Sequence, residues 1–141
     1  MFERASIFLA EDSPADVYLF REALKAHGVD CDLLVFDDGQ AAMSFLVGAE
    51  KDGSGPDIFV LDLNLPRKTG LEVLEWTRQQ PALKRLVVIL FTSSCLPADI
   101  DRAYDLGANS FIQKPADLAD ALEMAQLLKG WWLGYNHFAV V

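Results

Sequence analysis

Five short apolar runs alternate along the chain with segments of helical spacing, and this alternation constrains the fold more than any other feature. The runs cover residues 6–10, 32–36, 58–63, 86–91 and 110–112. Most are unbroken rather than interleaved with polar residues, the pattern of strands covered on both faces. The intervening helices have recognisable ends. Ser13 before Pro14 reads as an N-cap and first helical position; Val17, Phe20, Ala23 and Leu24 form an apolar stripe; Gly28 after His27 closes the helix. Further helices are predicted over residues 39–47, 70–79, 97–106 and 116–129. The polar, glycine-rich stretch 48–56 reads as an exposed, mobile loop. Strict alternation of this kind predicts an α/β fold: a three-layer, doubly wound (βα)5 sandwich with right-handed crossovers around a central five-stranded parallel sheet. At 141 residues the chain fits one such domain, able to bury about 70% of its unfolded surface without staples.

Composition removes several classes of function. With 52% hydrophobic and 23% charged residues the chain is globular rather than disordered. Its longest apolar run, residues 86–91, is far short of the ~20 residues a membrane span needs. The first residues lack the apolar core and cleavage site of a secretory leader, so a cytoplasmic location is expected. Cys31 and Cys95 are too far apart for a metal knuckle and are expected to be free thiols. A net charge of −9 repels nucleic-acid phosphates and anionic lipid, whose binding depends on Lys and Arg. Metal cations or a basic protein face suit it better.

Open parallel sheets bind ligands beyond the carboxyl ends of their strands. Here those ends carry Glu11-Asp12, Asp62, Thr92 and Lys114. Each alone has an ordinary explanation. Glu11 and Asp12 suit a helix start, Thr92 a loop, Lys114 a solvated surface. Asp62 is harder to place, because an unpaired charge ending a buried strand is costly. Coincidence at all four ends is much rarer than at any one. Together they form a site for a divalent cation and a phosphoryl group. Asp12 and Asp62 offer the hard oxygens Mg²⁺ prefers, and Glu11 can orient a coordinated water. Thr92 and Lys114 supply a donor and a positive charge for phosphoryl oxygens. An aspartate at such a site can act as nucleophile toward phosphorus.

In order and separation, Glu11-Asp12, Asp62, Thr92 and Lys114-Pro115 resemble the signature of two-component response regulator receiver domains, the CheY-like family. Pro66, Gly70 and Gly107-Ala108 extend the match, which runs from about Ile7 to Lys129. Residues 11–17, 62–70 and 103–115 look closest to stand-alone regulators paired with bacterial phytochromes. The resemblance implies strand order 2-1-3-4-5 and a receiver domain over residues 1–130, with an aromatic tail at 131–141 and no output domain. It implies that Asp62 accepts a phosphoryl group from a sensor histidine kinase, of phytochrome type or another, or from a phosphotransfer protein. Mg²⁺ would be held by Asp12, Asp62 and the backbone carbonyl of Asn64, with Glu11 acting through water. Thr92 would swing toward the phosphoryl oxygens and Phe111 would follow; Lys114 would pair with the phosphoaspartate; Lys114-Pro115 is expected to be a cis peptide. A downstream protein would read the result through helices four and five and strand five.

Phe111 stands where the family more often has tyrosine, and so offers no hydroxyl. The stretch Thr92-Ser93-Ser94-Cys95 leaves the site roomier than versions with a long side chain there. The tail, with Trp131, Trp132, Tyr135 and Phe138, either folds back on the core or forms a homodimer or partner contact. His137 reads as an incidental tail residue and His27 as a helix cap. Three rival functions stay open. An aspartate-nucleophile phosphohydrolase usually carries a second acid two positions on, where this chain has Asn64. A flavin carrier would set its cofactor phosphate against Glu11 and Asp12. A receiver-like scaffold would never be phosphorylated at all.

Overall fold

The computed structural model describes residues 4–139; residues 1–3, where the leader was sought, and 140–141 of the tail lie outside it. The chain alternates as expected: β1 (Ala5–Ala10), α1 (Pro14–Ala26), β2 (Cys31–Phe36), α2 (Gly39–Asp52), β3 (Ile58–Leu61), α3 (Gly70–Gln79), β4 (Val87–Thr92), α4 (Pro97–Asp105), β5 (Ser110–Gln113) and α5 (Leu118–Leu127). All strand pairs are parallel, in the order β2-β1-β3-β4-β5. One row of register partners runs Val35, Leu9, Val60, Ile89 and Ser110.

Successive strand residues point to opposite faces, and the sheet buries both. Phe8, Phe59, Leu61 and Leu90 face Leu46 of α2 and Leu74 of α3. Ile7, Leu9, Val60 and Ile89 face Phe20 of α1 and Ala125 of α5. A strand apolar on both faces is stable only when helices cover both, which is why the runs are unbroken. Four of the five described α-helices begin where capping side chains stand; α4 instead starts with Pro97 at its first position. Ser13, Asp38 and Asp117 each accept a backbone N–H in the first turn, and Thr69 with Glu72 closes a full capping box.

Two boundaries depart from the sequence pattern. The expected loop 48–56 is shorter than the sequence suggests: α2 continues to Asp52, and only residues 53–56 are irregular. Ala42, Leu46 and Ala49 extend one buried stripe through it, and this packing outweighs the helix penalty of Gly48. The helix ends instead at Gly53, whose φ of 74° suits a left-handed cap. At the other end, α5 passes into a π-helical segment, Leu128–Tyr135. Trp132, Leu133 and Phe138 pack on the α1–α5 side of the core, while Trp131 and Tyr135 stay exposed. Much of the tail therefore folds back on its own domain.

Arg78 ties three elements together. Its guanidinium donates from Nε to the Gly107 carbonyl (2.9 Å), from Nη1 to the Leu86 carbonyl (2.8 Å) and from Nη2 to Asn109 Oδ1 (2.9 Å). The same Asn109 oxygen accepts the Val88 N–H, joining α3 to the start of β4 and the entry to β5. Arg78→Ala is expected to lower the unfolding free energy by about 3 kcal/mol, since losing the charged donors leaves the part-buried carbonyls of Gly107, Leu83 and Leu86 unmet. Arg78→Lys should recover less than half, because an ammonium cannot span the fork. Urea denaturation measures both; a loss for Arg78→Ala below about 1 kcal/mol would contradict the role.

Candidate functional site

The sheet ladder carries on for one residue past several strand ends. Glu11 N–H donates to the Phe36 carbonyl (2.9 Å), Asp62 N–H to that of Ala10 (3.0 Å) and Lys114 N–H to that of Thr92 (2.8 Å). Glu11, Asp62 and Lys114 are thus each the first residue beyond their strand, with the backbone still fixed by the sheet, and Asp12 follows one position on. Glu11, Asp62 and Thr92 are buried, whereas Asp12 is exposed. Ligand oxygens of Glu11, Asp12 and Asp62 lie within 4.8 Å of one another.

Lys114 crosses the sheet edge to meet them. Its Nζ is 2.7 Å from Glu11 Oε2, 2.9 Å from Asp16 Oδ2 and 3.3 Å from Asp62 Oδ2. Burial alone would push this ammonium down. The close Glu11 carboxylate, the hydrogen bond to Asp16 and the charge of Asp62 outweigh it and hold the group above the ordinary lysine range. Glu11 moves the other way from a usual salt-bridged acid. Burial raises it, and the Lys114 and Ser13 contacts recover only part of the cost.

One ammonium among four carboxylates leaves the cluster short of positive charge. Asp62 Oδ1 is buried without a hydrogen-bond partner; Glu11 Oε2 is close to Lys114 but poorly aligned for a hydrogen bond. Buried oxygens left in this way cost several kcal/mol unless something binds them. An all-oxygen set with spare lone pairs and excess negative charge fits a hard divalent cation.

Asp16 escaped the sequence reading. It lies one helical turn beyond Asp12, in the first turn of α1, where an acid has a ready explanation in the helix dipole. That four-residue spacing was the available signal. Thr92 points its hydroxyl to the Ser94 N–H (3.3 Å). Phe111 is partly buried against the α2–α4 side of the core, and its N–H donates to the Tyr104 hydroxyl (3.2 Å). The Tyr104 hydroxyl of α4 therefore lies beside the β5 backbone. Asn64 is exposed in the β3–α3 loop. One expectation is overturned: the Lys114-Pro115 peptide is trans, as no described peptide bond is cis. Trans is the intrinsically favoured form, and with it Lys114 already reaches all three of its acidic partners.

The loop after Asp62 is tightly confined. Gly70 N–H donates to the Leu63 carbonyl (2.8 Å), and a Cβ at Gly70 would lie 2.1 Å from the Asp62 carbonyl oxygen. Arg67 adopts φ 68° between Pro66 and Lys68, which are joined by a Lys68 N–H to Pro66 carbonyl bond (2.8 Å). Such a non-glycine turn is strained and persists only when its surroundings enforce it. Gly70→Ala is expected to cost about 3 kcal/mol of stability, because backbone must move to admit the methyl. A urea midpoint equal to wild type would show that the loop yields freely.

The comparisons with known proteins agree with this geometry. The family model described as "Response regulator receiver domain" matches residues 7–126. Response regulator Rcp1 of Synechocystis sp. is 40% identical over 129 residues, covering 90% of this chain and 88% of that protein. Among solved structures, the phosphorylated cyanobacterial phytochrome response regulator RcpA superposes with a TM-score of 0.88 at 36% identity, covering 96% of this chain and 99% of that one. The Mn²⁺-bound form of Rcp1 gives a TM-score of 0.85 at 39% identity, with the same coverage. With its sheet order, its acidic strand ends and these relatives over nearly its whole length, the chain belongs to the response regulator receiver family.

Proposed function

We propose that Asp62 is the phosphoacceptor of a Mg²⁺-dependent phosphorelay in the cytoplasm. The observation that carries this reading is the buried Asp62 carboxylate, which has one oxygen beside Lys114 and the other without a partner. A carboxylate oxygen attacks phosphorus, the phosphorus–nitrogen bond of a donor phosphohistidine breaks, and the imidazole leaves with the electron pair. Asp12, Asp62 and the Asn64 carbonyl would hold the metal, and Glu11 would orient a water on it. When bound, Mg²⁺ neutralises charge on the phosphoryl oxygens. Lys114 exchanges its carboxylate contacts for the new phosphoryl oxygens. Thr92 turns its hydroxyl from Ser94 toward them, and Phe111 moves into the space this opens. The added charge of about −1.5 to −2 drives that exchange.

The donor is a sensor histidine kinase, of phytochrome type by likeness to RcpA and Rcp1, or a phosphotransfer protein. Output passes to a downstream protein across α4, β5 and α5, where Leu96, Tyr104 and Leu118 are exposed. This is signalling rather than turnover of a phosphate ester: the position two beyond Asp62 is the amide Asn64, which cannot protonate a leaving group. Intact-mass analysis after incubation with acetyl phosphate and Mg²⁺ tests the reading. A single phosphoryl adduct that needs the metal is expected. With no adduct and no binding of beryllofluoride, the proposal fails.

A further inference from the structure

The sheet face beneath α1 and α5 is not filled to its edge. A groove of about 510 Å³ opens between the strands and α5 with its π-helical extension. Val60, Ile89 and Phe91, each 2% exposed or less, line its inner part. Met124, Trp131 and Trp132 line it from the helix side. The volume lies within the range of small-molecule pockets, and the lining is mostly apolar with a few polar groups, as such sites are.

The charges around it select one class of ligand. Asp120 and Glu123 of α5 line the groove, are exposed, and form no ion pair among the described residues. The lining cation is Lys114, whose ammonium is already held by Glu11, Asp16 and Asp62. An anion entering here would meet two uncompensated acids on a chain of net charge −9. A cation would meet those acids and two indole rings, whose faces attract positive charge. We propose that this groove is a ligand site for a small aromatic molecule carrying a positive charge. The groove adjoins the acidic cluster at the strand ends, with which it shares Lys114, but its ligand would be held by Asp120, Glu123 and the indole rings.

Calorimetric titration of the full chain with three probes that share one ring tests it: naphthylmethylamine, naphthylmethanol and naphthoate. The amine is expected to bind about fivefold more tightly than the alcohol, as partly exposed ion pairs allow, and the carboxylate more weakly than either. Asp120→Asn combined with Glu123→Gln should bring the amine down to the affinity of the alcohol and leave the alcohol unchanged, which a folding defect would not do. Met124→Trp, which fills the groove, should abolish binding of both. Equal affinities for amine and alcohol, binding that survives Met124→Trp, or no heat with any probe overturns the proposal. If light scattering shows a dimer that Met124→Trp dissociates, a second copy occupies the groove, and the proposal likewise falls.

Discussion

Asp62→Asn protein is expected to acquire no phosphoryl group from acetyl phosphate at any Mg²⁺ concentration, while remaining folded. An amide oxygen is a poor nucleophile, and neighbouring Asp12 and Asp16 cannot substitute, because neither is buried at the end of a strand: Asp12 is exposed and Asp16 stands on the first turn of α1. The substitution also removes one of the clustered negative charges. Asp62 is 4% exposed and one of its oxygens has no partner, so the neutral amide lifts repulsion with Glu11 and Asp12. Its unfolding free energy at neutral pH, without divalent cations, is therefore expected to be no lower than that of wild type. Intact mass and urea denaturation on the same sample separate the two effects. An adduct of the same size on Asp62→Asn would place the acceptor elsewhere and remove Asp62 from the mechanism.

Lys114→Met is expected to be among the most destabilising changes available. Glu11 and Asp62, 1% and 4% exposed, then have no ammonium beside them. Breaking a buried ion pair from one side costs about 3–5 kcal/mol; we expect about 3, because Asp16 is partly exposed and stays solvated. The pH dependence has a definite sign. The folded-state pKa of Glu11 already lies above its ordinary value of 4.5, chiefly through burial. Without Lys114 it rises further, and the folded state then binds more protons than the unfolded chain. Stability of the variant therefore recovers as pH falls through that raised value. Lys114 acts at the other end of the scale. Its folded pKa lies above 10.5, so its contribution is complete below the unfolded value and lost as pH rises through the folded one. The variant lacks that alkaline loss. Mg²⁺ should restore much of the deficit at neutral pH by replacing the missing positive charge. Urea unfolding at pH 7 and about pH 5, with and without Mg²⁺, decides the matter. A deficit indifferent to both would mean that Lys114 acts by packing alone, for instance through its approach to Phe91 at 6.0 Å.

Most of the site could be read from the sequence because its components sit at or just beyond the end of an apolar run, where chain order alone sets their position on the sheet edge. Glu11, Asp62 and Lys114 are of this kind. Asp16 is not. Its role arises because α1 packs so that its first turn faces the end of β5, a consequence of helix placement at which the four-residue spacing from Asp12 only hints. Arg78 is similar: on a helix surface an arginine looks solvated, and only the approach of the Gly107 and Leu86 carbonyls shows otherwise. Gly48 misled for the opposite reason, since a local helix penalty near 1 kcal/mol was overridden by burial of Leu46 and Ala49 on either side of it.

The sequence by itself determined the alternation of elements, the two-faced burial of the sheet and the residues at its carboxyl edge, because all of these follow from where apolar runs begin and stop. Tertiary structure alone decided which carboxylates share Lys114, which oxygen of Asp62 is left without a partner, and how the tail divides between core and solvent. Those outcomes depend on distances between residues far apart in the chain. They are fixed by how the helices settle on the sheet, through packing that no single segment encodes.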